Sequence, residues 1–156
     1  MGRRTITVIL FLAPFLFLAV ATTAAAAESN VIAVDANRVA IKGYDTVAYF
    51  TDGKAIKGNS EFEYVWSDAK WQFSSAAHRD MFATNPERYA PQYGGYCAGL
   101  MASYGALSIA NPKTWTIVDG KLYMFSGADV GDWRANDIAR ADANWHSAHA
   151  WVISSP

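Results

Sequence analysis

The sequence predicts an α+β domain: a small antiparallel sheet of hairpins, a short helix after the first hairpin and a C-terminal amphipathic helix. Three observations point to it. Phe62 to Trp66 and Trp71 to Phe73 are rich in β-formers and separated by a polar step. Trp115 to Val118 and Leu122 to Phe125 flank Asp119-Gly120, among the strongest short-range hairpin signals. Ile138, Ala141, Trp145, Ala148 and Val152 then recur at steps of three and four, the stripe of an amphipathic helix. Helices packed on a small antiparallel sheet are the usual way to bury such elements.

The first 27 positions read as a segment to be removed. Arg3 and Arg4 precede an apolar run from Val8 to Ala21, and Ala24-Ala25-Ala26-Ala27 follows. Positive, apolar, then small residues is the pattern of a secretory signal peptide. The run is short of the ~20 residues a spanning helix needs. The expectation is an exported chain, periplasmic or secreted, with no stable membrane insertion once the signal is cleaved.

The rest keeps all six Trp, all eight Tyr and only three Leu (Leu100, Leu107, Leu122), so its core must be aromatic and β-branched. With 13 basic and 14 acidic side chains, the balance excludes a strongly basic nucleic-acid binder. One Cys excludes an internal disulfide framework and any all-cysteine metal site. No low-complexity segment and no internal repeat is read. The organisation expected is signal 1–27, lead-in 28–39, core domain 40–125 and helical extension 126–156.

Taken in order, Val31 to Val34 reads as a short strand or edge arm. Val47 to Phe50 reads as a β-prone run ended by Asp52-Gly53. The first hairpin closes through a four-residue loop, Ser67 to Lys70. Ser74 or Ser75 caps the short helix carrying Ala77, Met81 and Phe82, which stops near Asn85 because Pro86 disfavours a helical residue before it. Asn85-Pro86 opens a further turn to Tyr89. From Pro91 to Ala110 periodicity is weak, and Gly94-Gly95 implies a tight backbone path beside Tyr96 and Cys97.

Few residues carry chemistry. Cys97 offers a metal ligand, a nucleophile or a link between two chains in an oxidising compartment; its ordinary role is a small buried hydrophobe. His78 offers a ligand or proton acceptor, against the ordinary reading of a histidine bonded to backbone. Asp142, His146 and His149 share a face of the last helix at a spacing that suits Cu²⁺ or Zn²⁺, though a solvated face explains it as well. The scattered Met81, Met101 and Met124 are expected in the core. The Tyr and Trp surplus suggests an aromatic-lined pocket or a partner surface. Phosphate loops, Gly-x-Ser-x-Gly, His-Glu-x-x-His and Cys-x-x-Cys are absent.

The strings Gly43-Tyr44-Asp45-Thr46-Val47-Ala48-Tyr49-Phe50, Trp71-Gln72-Phe73-Ser74-Ser75 with His78, Asn85-Pro86-Glu87-Arg88-Tyr89, and Pro91-Gln92-Tyr93-Gly94-Gly95-Tyr96-Cys97-Ala98 resemble the YHS domain family. They look like its exported, stand-alone bacterial branch. The resemblance implies a treble-clef-like module related to those of copper-exporting ATPases and heavy-metal resistance proteins. The cysteines of those members fall on Ala48, Ser74 and His78 here, and Thr46 stands for their proline. That leaves His78 and Cys97 as metal donors, with Tyr44, Asp45, Tyr49, Trp71, Phe73, Tyr93, Gly94, Gly95 and Tyr96 as ligand-contacting or structural motif positions. The expected function is a non-catalytic binding module for a transition-metal ion such as copper, or for a small ligand. The alternatives are an interaction domain with an aromatic face and an inert Cys and, third, a thiol enzyme with Cys97 as nucleophile and His78 as base.

Overall fold

A computed structural model describes Gly2, residues 31–127 and residues 130–154, with side chains to Ser147. The signal-peptide segment therefore lies outside the described residues, as does the side chain of His149. The chain is α+β, with two separate antiparallel hairpins and five helices among the described residues. Helix α1 is Ala48–Thr51, strands β1 and β2 are Asn59–Trp66 and Ala69–Phe73, and helices α2 and α3 are Ala76–Thr84 and Pro86–Tyr89. Then come α4 (Ala98–Tyr104), β3 (Asn111–Val118), β4 (Lys121–Phe125) and α5 (Ala135–Ser154). None of these helices is long and apolar enough to cross a membrane.

The expectation of no internal repeat is overturned. Every pairing of the β1–β2 hairpin recurs in the β3–β4 hairpin at a constant offset of 52 positions (59 to 111, 73 to 125). Asn59 faces Phe73 as Asn111 faces Phe125, and a bulge follows in both. Trp66 faces Ala69 as Val118 faces Lys121. The match extends upstream, where the bridge of Tyr44 to Lys57 is repeated by that of Tyr96 to Ile109. It includes backbone conformations that side chains rarely adopt. Ile41, Lys42 and Gly43 have φ of 50°, 52° and 71°; Tyr93, Gly94 and Gly95 have 53°, 61° and 84°. A left-handed β-branched or aromatic residue is a true outlier, and this one is built twice. Few identities survive between the copies beyond Gly-Tyr at 43–44 and 95–96 and Phe-Ser at 73–74 and 125–126. The repeat is therefore visible in register and backbone angles, not in composition.

Two other expectations are corrected. The loop of the first hairpin has two residues, Ser67 and Asp68, both left-handed (φ 49° and 56°), as Asp119 and Gly120 are in the second. Paired positive φ matches the twist of the strands. The run Val47 to Phe50 is not a strand: the Asp45 carboxylate accepts from the N–H groups of Val47 (3.0 Å) and Ala48 (3.2 Å) and starts α1. The cap forecasts hold, with Ser75 capping α2 through the N–H of His78 and Asn85-Pro86 opening α3. The Val31 to Val34 arm lies along both copies, its Ala33 donating to Gly94 O and accepting from Ile41 N.

The core divides in two. Val47, Tyr49, Trp71, Phe73, Phe82, Leu122 and Met124 lie in one cluster; Tyr93, Cys97, Met101, Tyr123, Phe125 and Ala141 lie in the other. Strand β4 sends alternate side chains to each, the period of two expected of a strand buried on both faces. Of the predicted stripe of α5, Ile138, Ala141 and Trp145 cover the second cluster, while the side chains of Ala148 and Val152 lie outside the described residues.

Candidate functional site

The Asp45 carboxylate, which is fully buried, accepts hydrogen bonds at both oxygens. Its second oxygen, Oδ2, accepts from the Ser74 N–H at 2.8 Å, the Ser74 hydroxyl at 2.6 Å and His78 Nδ1 at 2.7 Å. With the two N–H groups at the start of α1, five donors converge on one buried carboxylate, so both of its oxygens are satisfied. The carboxylate oxygen accepts, so Nδ1 is the donor in this pair, and the tautomer with its proton on Nδ1 presents a lone pair at Nε2. Nε2 points toward Asp52 Oδ2 at 3.8 Å and Thr51 Oγ1 at 3.4 Å. The imidazole is 17% exposed and the Asp52 side chain 43%. A histidine fixed through Nδ1–H by a buried carboxylate, with Nε2 facing outward, is the arrangement that orients metal-ligating imidazoles.

Cys97 occupies the position of Asp45 in the second copy. The Ser126 N–H and hydroxyl donate to its sulfur at 3.2 and 3.3 Å, as Ser74 donates to Asp45, and both pairs span 29 residues. Burial pushes the thiol up. The Ser126 hydroxyl and the backbone N–H groups of Leu100, Ser126 and Gly99 outweigh it, so Cys97 sits below an ordinary thiol. Gly99 and Leu100 stand two and three residues beyond Cys97, where Val47 and Ala48 stand beyond Asp45. The thiol has thus taken over a carboxylate's seat. No hydrogen bond joins it to His78: the sulfur belongs to the second core cluster with Ser126, and His78 belongs to Asp45. The sulfur is also buried, so the fold as it stands does not offer it to a second chain.

The remaining predicted positions are mostly structural. Tyr49 donates to Pro112 O at 2.8 Å and meets Trp115 edge-on at 5.0 Å. Trp71 donates to Trp66 O, and Phe73 packs against Phe82. Tyr44 lies under the Lys57 ammonium, and Tyr96 pairs with Ile109. Gly94 and Gly95 are required: a Cβ would stand 1.8 Å from Val31 O in the first and 2.1 Å from Ile41 Cδ1 in the second. Asp142 is engaged by the Tyr93 hydroxyl at 2.9 Å, and His146 is exposed on α5. Among the described residues no three His, Cys, Asp or Glu groups come together as a metal cage.

Of the positions implied by the family resemblance, Ser74 and His78 do meet, 3.4 Å apart on Asp45. Thr46 is fully buried and its hydroxyl has no partner, which fits a seat shaped for an apolar residue such as proline. Sequence reasoning missed Asp52, brought to His78 by the end of α1, and Ser126. The signal for Ser126 was available in the recurrence of Phe-Ser after Gly-Tyr. No protein-family model, no curated protein and no solved structure matches this chain.

Proposed function

We propose that this chain is a non-catalytic binding module of the YHS type, acting outside the cytoplasm, whose reactive atom is His78 Nε2. The observation that carries this reading is the Asp45–His78 pair: a buried carboxylate that fixes the ring and leaves one lone pair outward beside a second carboxylate. Imidazole and carboxylate suit Cu²⁺ or Zn²⁺. The chain supplies two donors, His78 Nε2 and Asp52 Oδ2, where a closed structural site uses four. Solvent or an incoming partner completes such a site. That favours reversible binding and exchange over permanent storage, and Cys97 takes no part in it.

The reading as a thiol enzyme loses its support, since the Cys–His hydrogen bond that activates a nucleophile is not formed. The test is a titration of the chain from Glu28 with Zn²⁺, followed by the ¹⁵N resonances of the imidazoles. Zn²⁺ should move the Nε2 resonance of His78 first and leave Nδ1 protonated, and Asp52→Asn should weaken binding about tenfold. Binding that moves His146 or His149 instead would place the site on α5 and refute the proposal.

A further inference from the structure

Between the two copies the chain leaves a cleft of about 250 Å³, bordered by the Val31 arm, the end of β1, α3, the turn at Tyr93 and α5. Three aromatic side chains line it, Trp66, Tyr93 and Trp145, together with Glu87. We propose that this cleft binds a compact organic cation of the methylated ammonium class, held against the half-buried Trp66 and Trp145 beside the buried Tyr93 and balanced by Glu87.

Four observations carry this. The first is charge: among the described residues Glu87 is the one ionisable acid or base on the lining apart from Tyr93, with no Lys or Arg on it. The neighbouring Arg88 is committed elsewhere, donating to Gly120 O at 2.6 Å with its guanidinium 5.0 Å from the Phe50 ring centre. The second is a further carboxylate at the edge of the site. Asp142 accepts from the Tyr93 hydroxyl at 2.9 Å, so it sits at the polar end of that ring. Burial first, and then Asp142, hold Tyr93 well above the ordinary tyrosine range, so the hydroxyl stays neutral and keeps donating. The faces of Trp and Tyr attract cations, Trp most strongly.

The third observation is the repeat. Tyr93 and Trp66 fall where the other copy has Ile41 and Val118. The same backbone accepts aliphatic residues at both places, so the scaffold does not demand rings there. Trp66 packs on Trp71 and Phe82 at 5.7 and 5.9 Å and is only half-buried, while Tyr93 and Trp145 stand 5.9 Å apart. The fourth is size and place. The cleft falls below the ~300–1,000 Å³ of sites for drug-sized ligands, and junctions between structural units are where ligand sites concentrate. A trimethylammonium head group suits it.

The experiment is a titration of the chain from Glu28 with choline, read from the indole N–H cross-peaks of Trp66 and Trp145. The uncharged isostere 3,3-dimethylbutan-1-ol is titrated in parallel, with a chelator present throughout to keep the His78 site out of the measurement. Choline should shift both cross-peaks saturably, and the isostere should bind about tenfold more weakly or not at all. Glu87→Gln, a change at an exposed side chain that leaves the fold intact, should weaken choline about fivefold. Equal binding of choline and its isostere would show a merely apolar cleft and overturn the proposal. So would an unchanged affinity in Glu87→Gln, or no shift at millimolar choline.

Discussion

The two copies use one scaffold for two different anion-like groups, and the contrast between them separates what the fold requires from what the site adds. Both need an acceptor at the position after Gly-Tyr to tie the next helix to the serine that ends the hairpin. Asp45 does this with two carboxylate oxygens and Cys97 with a polarisable sulfur. The first copy then continues into α2 and brings His78 onto the acceptor; in the second, the next helix is α5, which starts at Ala135. The acceptor is thus common architecture, and the outward-facing imidazole belongs to the first copy alone. An informative thiol turns out to be a structural member, and an apparently ordinary aspartate anchors the site.

The largest expected effect comes from removing the shared acceptor where it is a carboxylate. Asp45→Ala strands five donors and should cost about 3–5 kcal/mol, seen as loss of the cooperative transition in urea. Cys97→Ala removes a weaker acceptor and should cost less, about 1–3 kcal/mol. Equal stability of the two variants would mean that the two acceptors are equivalent.

Ser74→Ala and Ser126→Ala sharpen the same comparison. A hydrogen bond to a charged acceptor contributes about 1.5–3 kcal/mol and an ordinary one about 0.5–1.5. Chemical denaturation should therefore rank Ser74→Ala as the more damaging, although the two serines occupy equivalent places.

The tyrosines give a pH dependence that both copies share. Burial holds Tyr49, in the first core, and Tyr93 and Tyr123, in the second, above the ordinary tyrosine range. Their folded values exceed the unfolded value of about 10, so their contribution is fully present below that pH and is lost as pH rises above it. Thermal melts should thus fall steeply above about pH 10, and Tyr49→Phe should flatten that fall.

The smallest effect is a gain. Thr46→Val removes a buried hydroxyl without a partner at constant shape and should stabilise the chain by about 1 kcal/mol, measured as a raised urea midpoint.

What was legible in the sequence follows physical range. The hairpin at Asp119-Gly120, the Ser75 and Asn85 caps and the α5 stripe are encoded by neighbours in the chain, and each formed as read. The run from Val47 looked like a strand because its propensity is β. Its helix depends on a carboxylate two residues upstream that only burial makes decisive. The Ser67-Asp68 turn was read too long because neither residue advertises a positive φ as glycine does. His78 was a fair candidate from its motif. Its partner Asp45 lies 33 residues away, and no local pattern could pair them. The repeat escaped because its conserved content is backbone geometry and hydrogen bonding, with aspartate exchanged for cysteine at its centre.

The central claim is that His78, and not Cys97, carries the binding chemistry. The most direct test is Cu²⁺ and Zn²⁺ titration calorimetry on the unaltered chain from Glu28, on His78→Ala and on Cys97→Ser. One reversible site is expected, which His78→Ala abolishes and Cys97→Ser leaves within about twofold. Loss of binding in Cys97→Ser, or no binding to the unaltered chain, would contradict it.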